Sequence, residues 1–544
     1  MKAAEGSTEV DRVAALKQLF EENQWQQVVI EARALPVSEA EVDYYQGVSL
    51  AQLGRWDEAR SVLLAGQNLK PGDERFPVEL GGLAFKQRQY AEAARWLQRA
   101  LRLNPSDTYA IDFLATIYFL QGNLEAALKY WNRIGKPQIE NVRVEPGLHT
   151  DPVLLDRAFT FAPAATLWLS DLLTTRARVT QLGVFPTSTV GLDALEDGRF
   201  DATFAAQERN GLGTNKMEAL LSTFRGVGFQ TIYPEYFNLA GSAINVTSMV
   251  RWDAQKRRLV SSLSGPLAHN PSHRYWLGVD LRDEDWDLRS SFQGPAPTLG
   301  RFKLLRNAVG GGVSSLPKSG WNWSASGELS RRDYADVSGP ALPQNVLLKG
   351  YQLKQAVQLD RELWRVPERR FESNATMSSE TATVWMMQAH TFERLQSSLL
   401  AHWFPQMTGD DYAIQEHIRA GKIFGRAPFD EFFMLGLERD NDLWMRAHIG
   451  TRDGRKGSAP LGGQYFLSNW EMDKNLYENG LFSAKLSPFL DVGRMDASLV
   501  PDFEKWLCDT GVQAKLRVLG IGFAFVYGKD LRSGNNAFYV TASR

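Results

Sequence analysis

One arginine and one aspartate carry most of the chemistry that residue types and spacing permit in this chain. Arg446 stands in Met445-Arg446-Ala447-His448, within a long stretch rich in Gly, Asp and Arg that runs to Gly463 and reads as a loop. Asp491 stands in Phe489-Leu490-Asp491-Val492-Gly493, which reads as a strand. A guanidinium offers a planar fork of donors, and a carboxylate accepts two of them side by side. An Arg on a loop and an Asp on a nearby strand can form a partly buried pair that pins the loop inside whatever encloses it. The same residues also suit two unrelated charges on a soluble sheet, where an exposed pair is worth about 0–1 kcal/mol. Glu471, on the strand after the loop, is a second candidate partner for Arg446. Upstream, Pro428-Phe429-Asp430-Glu431-Phe432-Phe433-Met434-Leu435-Gly436 reads as a strand ending at the loop.

Covalent chemistry finds little else. His269 and His273 are four apart, but Asn270-Pro271 between them argues against a metal pair on one helix face. No Gly-rich phosphate loop or nucleophile elbow stands out. Asp283-Glu284-Asp285 reads as a solvated loop. The lone cysteine, Cys508, excludes an internal disulfide and a Cys-based metal site. A net charge of −2 gives no electrostatic footprint for nucleic acid. The chain is therefore expected to be no enzyme, with no catalytic residue, metal or cofactor.

Positioning these residues takes several elements. A 34-residue period runs through Trp56, Tyr90 and Leu124, and through Ala59, Ala93 and Ala127. Leu63, Leu97 and Trp131 keep the same step, as do Pro71 and Pro105, and Gly54, Arg88 and Gly122. That period, with Ala in the second helix and Pro at its end, is the tetratricopeptide signature. It predicts repeats over residues 40–137, with a helical cap over 1–39 around 16–20 and 25–32. A concave surface for a peptide or partner protein follows, or else a spacer. Residues 138–210 alternate differently. Strands are expected at 139–144, 187–192 and 200–206, helices at 153–159 and 167–182, and a hairpin turn at Asp197-Gly198.

From about residue 215 the helical period gives way to alternation. Tyr275, Leu277, Val279 and Leu281 share one face, and Trp276, Gly278, Asp280 and Arg282 the other. Trp321 with Trp323, and Phe523 with Phe525 and Tyr527, repeat the idea. No apolar run is long enough for a membrane helix, but a closed barrel satisfies its own backbone and crosses with strands of about 9–11 residues. With connections, the segment fits roughly 16 such strands. A soluble all-β domain is the other reading of the alternation. The start, Met1-Lys2-Ala3-Ala4-Glu5-Gly6, lacks the apolar core of a signal peptide, so if the protein is exported its leader is expected to have been removed ahead of this sequence. The end, Ser543-Arg544, lacks the usual terminal aromatic of bacterial outer-membrane barrels.

The motifs resemble those of the bacterial surface-antigen barrels: outer-membrane assembly factors of the BamA and TamA kind, and two-partner secretion transporters. In that superfamily a Val-Arg-Gly-Phe/Tyr loop motif meets the Asp of Phe-x-Asp-x-Gly. Phe489, Asp491 and Gly493 match the second motif. Arg446 keeps the key residue of the first, with Ala447 in place of Gly and His448 in place of the aromatic. The resemblance covers the architecture of residues 138–544, and its specific motifs fall within 428–493. It implies a POTRA-like α+β domain at 138–210 and a transmembrane antiparallel barrel at 211–544, behind an all-α repeat arm. It implies an outer-membrane location with N-terminal domains in the periplasm. The implied function is insertion or translocation of proteins, with client proteins, the lipid bilayer and a periplasmic protein on the arm as partners. A dedicated secretion channel and an envelope scaffold are the alternatives.

Overall fold

The computed structural model of the chain describes residues 2–35, 39–289, 298–316, 320–339, 344–385, 388–480, 482–499, 505–518 and 521–543; Met1 and Arg544 lie outside them. The chain forms two compact units, residues 1–138 with 166–169, and residues 139–165 with 170–544.

The first unit is built of paired helices. Ala40–Gln52 pairs with Trp56–Leu69, Arg75–Lys86 with Tyr90–Leu103, and Thr108–Leu120 with Leu124–Trp131. Lys2–Glu21 and Trp25–Ala34 precede them. The small and apolar positions of the 34-residue period are the core: Ala59, Leu63, Ala93, Leu97 and Ala127 are fully buried. Small side chains there let the helices of a pair approach closely. The period's turn position takes a left-handed backbone in all three repeats, at Gly54 (φ +75°), Arg88 (+59°) and Gly122 (+76°). That conformation is free for glycine and strained for arginine.

The second unit begins with a three-stranded sheet. Phe200–Gln207 lies in its centre, parallel to Ile139–Val144 and antiparallel to Thr187–Ala194. Helices Pro152–Ala158 and Leu169–Leu182 come between the first and second strands in sequence. The order strand–helix–helix–strand–strand is the expected one.

The rest of the unit is a closed barrel. Fourteen strands run in antiparallel succession from Ile244–Trp252 to Asn536–Ser543. Ahead of them the first strand comes in two pieces, Thr231–Ile232 and Glu235–Leu239, both paired with Ile244–Trp252. The closed order returns from Asn536–Ser543 to Thr231–Ile232, so the seam joins the shortest elements of the wall. The outer face is apolar. Val279, Val309, Leu329 and Leu353 stand directly opposite one another across four neighbouring strands. Each is 40–54% exposed. A continuous exposed apolar row is what a lipid-facing wall requires and a water-facing one avoids. Among the described residues no helix is long and apolar enough to cross a membrane.

Three local expectations change. Residues 428–436 are not a wall strand: they form a 3₁₀ turn, Phe429–Glu431, and a two-residue strand, Phe433–Met434. The wall strand stops at Gly425 (φ +83°), and Phe429 packs inside against Trp286 and Phe302, with ring centres 4.9 and 4.7 Å away. Asp283-Glu284-Asp285 is not a solvated loop but lies in the strand Asn270–Arg289, with Glu284 buried. Finally, the helical period does not end at 215, because Lys216–Phe224 is a helix.

Candidate functional site

Residues 426–460 leave the wall and fold into the barrel, and a charged row on the wall meets their tip. The spacing of Phe489, Asp491 and Gly493 by two puts all three on the inward face of one strand. Pairing then extends the row. Asn469 stands opposite Asp491, Asp491 opposite Asp509, and Asp509 opposite Asp530. Three fully buried aspartates thus lie side by side on adjacent strands. Like charges directly opposite in a sheet are destabilising, so this row needs counter-charge.

The loop tip supplies it. The Arg446 side chain donates from Nε to both Asp491 oxygens, at 3.1 and 3.0 Å, and from Nη2 to Oδ1 at 2.6 Å. Its backbone N–H adds a bond of 2.9 Å to Oδ2. Nη1 reaches Glu471, which also accepts from Gln513 and Lys515. The guanidinium lies 3.9 Å from the centre of the Phe489 ring, so the motif's aromatic stacks on its arginine. Asn469 donates to Asp491 Oδ1 at 2.7 Å and to the Trp444 carbonyl at 2.8 Å, joining wall and loop again.

The next two residues read the next two aspartates. Ala447 N–H donates to Asp509 Oδ2 at 2.7 Å. Ala447 is absent from the left-handed positions of the backbone, so an alanine fits where the related motif has glycine. His448 is fully buried, with Nδ1 2.9 Å from Asp509 Oδ2 and Nε2 3.9 Å from Asp530 Oδ2. The three groups offer ligand atoms within 4.8 Å of one another. The two carboxylates approach opposite nitrogens of the ring, which suits an imidazole bridging two acids better than a single metal ion. Gly493 and Gly528 make room. A Cβ at Gly493 would come 2.8 Å from Met445 Sδ, and one at Gly528 would come 3.0 Å from the Arg446 carbonyl oxygen.

The loop's other contacts reach strands elsewhere in the wall. Lys456 Nζ donates to Glu284 at 2.8 Å and also contacts Asp440. Arg258 pairs with both Asp440, at 3.1 Å, and Asp280, at 2.9 Å. Glu431 is reached by Arg332 at 3.3 Å and Gln352 at 2.9 Å. The loop is therefore held from several sides of the barrel. Beside it remains a cavity of about 1320 Å³, lined by Arg446, Glu471, Arg419 and Lys515, and by Gln207, Glu208 and Arg209 at the end of the small domain's last strand. His269 and His273 form no site. His269 lies at a tight turn, 2.8 Å from Asp151.

Asp509 and Asp530 are not visible as site residues in the sequence. Asp509 does fall on the inward parity of its strand with Leu507 and Gln513, but only the pairing register brings it beside Asp491.

An apolar-walled barrel with a charged interior around an inward loop defines a transmembrane β-barrel carrying a helical-repeat arm. A tetratricopeptide repeat model matches residues 78–137. No curated protein matches the chain. Among solved structures, BamA from Haemophilus ducreyi lacking POTRA domains 1–3 is similar at 10% identity, over 75% of this chain and 84% of that one, with a TM-score of 0.44. CdiB from Escherichia coli is similar at 13% identity, over 75% of each chain, with a TM-score of 0.47. CdiB from Acinetobacter baumannii is similar at 10% identity, over 74% and 73%, with a TM-score of 0.43.

Proposed function

We propose that the protein is a non-enzymatic outer-membrane factor that inserts or translocates client proteins, which it engages through periplasmic N-terminal domains and the barrel seam. The observation that carries this is the contrast between lumen and seam. The lumen is crossed by a loop with many charged anchors. The seam joins an eight-residue last strand to a first strand broken into two- and five-residue pieces. Unpaired edge groups are a template for an incoming strand, and the shortest ladder is the one most easily opened. Arg446, Asp491 and Glu471, with Ala447 and His448, keep the wall next to the seam rigid while the edge itself opens. The repeat arm, with its concave face, would hold a client or a periplasmic partner.

The test is reconstitution in liposomes, with an unfolded outer-membrane barrel added from outside. Faster folding than in empty liposomes supports the proposal. No acceleration, with steady ion conductance instead, refutes it. The charged cavity beside the loop favours that second reading, a dedicated secretion channel.

A further inference from the structure

We infer that the helix Lys216–Phe224 is itself a piece of the barrel wall, with its apolar face on lipid acyl chains, and that by covering the first strand it directs a client strand to the last one. The second half rests on the seam reading above; the first does not.

The helix is inverted relative to one on a soluble protein. Met217, Leu220, Leu221 and Phe224, one face at helical spacing, are 37–55% exposed. Glu218, Ala219 and Ser222, on the other face, are buried. A helix packed on a water-surrounded core shows the reverse. The polar face has partners. Thr214 N–H donates to Glu218 at 2.7 Å, and Arg209 approaches Glu218 at 3.5 Å. Ser222 Oγ donates to Glu235 of the first strand at 3.2 Å, and Arg225 reaches Glu235 at the same distance. Thr214, Asn215 and Glu218 line the cavity, whereas the four apolar residues are not among its lining. The apolar face therefore looks away from the lumen.

The chain path places this face in the wall. Gly211 is bridged to Phe237 near one end of the first strand, and Thr231 pairs with Arg251 at the other end. Residues 212–230 must cover the height between them. The helix packs against Thr231–Ile232 of the first strand and against Ile521–Asp530, the inner neighbour of the last strand. The apolar surface continues to either side of it, in Tyr236 and Leu239 of the first strand and in Phe525, Tyr527 and Phe538 near the end of the chain. A helix satisfies its own backbone bonds, so it can close a wall against lipid without a strand partner. It also offers no edge. Tied to Glu235, it shields the first strand. The last strand pairs along all eight of its residues with Ile521–Asp530, so when the seam parts it stays in the wall and its other edge is left to receive an added strand.

The experiment places nitroxide labels at single cysteines, in a Cys508→Ala background, in the full-length protein reconstituted in phosphatidylcholine liposomes. Leu220→Cys, Leu221→Cys and Ser222→Cys are compared with Val279→Cys on the outer face and Gln513→Cys in the lumen. Heat-modifiable gel migration confirms that each labelled protein is folded. Positions 220 and 221 are expected to match 279, accessible to oxygen and shielded from a polar nickel reagent, with 222, buried against Glu235, shielded from both and 513 open to nickel. Grouping of 221 with 513 would make the helix a lumenal plug and overturn the inference. In a second arm, Val540→Cys on the last strand and Tyr236→Cys on the first are tested for disulfide capture of an unfolded outer-membrane barrel bearing a cysteine in its terminal strand. Several-fold more capture at 540 is expected. Equal or greater capture at 236 overturns the docking assignment. Capture at neither, with the labels grouped as expected, refutes the seam reading and leaves the helix in the wall.

Discussion

Removing either partner of a buried pair is usually treated as equivalent, but the aspartate row makes Arg446 and Asp491 unequal. Arg446→Ala takes away the guanidinium that faces the row. Asp491 keeps Asn469 and the backbone N–H of residue 446, yet still stands beside Asp509, which stands beside Asp530. Stranding a buried charge costs on the order of 3–5 kcal/mol, and the like-charge neighbours push this variant to the upper end. Asp491→Asn does the opposite. Arg446 keeps Glu471 and the Trp470 carbonyl, and one of three adjacent negative charges disappears. Its cost should be about 1–2 kcal/mol, the price of weakened hydrogen bonds. Adding Asp491→Asn to Arg446→Ala should then restore part of the loss, about 1–3 kcal/mol. The assay is the urea midpoint of the purified protein in detergent, followed by circular dichroism and heat-modifiable migration. Equal costs for the two single variants, or simple additivity in the double variant, would refute the idea that the row is held by loop charge.

Three further outcomes follow from the same geometry. His448→Phe restores the aromatic of the related motif but takes the ring nitrogens from Asp509 and Asp530, leaving Asp509 the Ala447 N–H and Asp530 the Arg532 N–H and Ser533 hydroxyl, so it should destabilise the barrel by about 1–3 kcal/mol, with Asp509→Asn recovering part of that in urea unfolding. Gly528→Val should lift the loop tip, because a Cβ there would be 3.0 Å from the Arg446 carbonyl oxygen and 3.4 Å from Ala447 Cα, both backbone. A cost of about 1–3 kcal/mol and faster trypsin cleavage within 426–460 are expected, and unchanged cleavage counts against it. In the arm, hydrogen bonds from Arg75 hold the Asp73 carboxyl well below the usual carboxylate range. The folded value lies below the unfolded one, so this contribution is present above about pH 4 and is lost as pH falls through the folded value. Asp73→Asn should lower the thermal midpoint of the helical signal at pH 7, and the difference should shrink in acid.

How much the sequence discloses depends on whether the signal is local. The repeats are legible because the same small residues return every 34 positions to the same buried place, Ala59, Ala93 and Ala127 among them. The faces of Leu277, Val279 and Leu281 are legible because a strand alternates. Phe489, Asp491 and Gly493 are legible because one strand carries all three. Asp509 and Asp530 are hidden because their meaning lies in the register between strands, which alternation alone does not fix. The helix Lys216–Phe224 is a different case. Its stripe of Met217, Leu220, Leu221 and Phe224 is plain in the sequence, and only the strand pattern that follows it draws the reader past it. The inward turn at 428–436 misleads because two phenylalanines buried inside a barrel alternate much as a wall strand does.

The arrangement of charge bears on which part of such a barrel can move. Withdrawing the loop from the lumen would separate Arg446 from Asp491, Lys456 from Glu284 and Arg332 from Glu431. It would also leave three aspartates facing one another across adjacent strands with their counter-charge gone. Those anchors lie on different parts of the wall, so loosening one does not free the others. Among the described residues the seam shows no comparable lock. The closed order crosses it from Asn536–Ser543 to the two-residue strand Thr231–Ile232, and each ladder bond contributes about 0.5–1.5 kcal/mol net. Parting it also exposes backbone that an added strand can satisfy at once, while the Lys216–Phe224 helix brings its own hydrogen bonds and an apolar face already suited to lipid. A protein that conducted through its middle would be expected to place its weakest contacts on the inner loop. This one places buried ion pairs there and its shortest strands at the edge, which is the distribution that opening sideways requires.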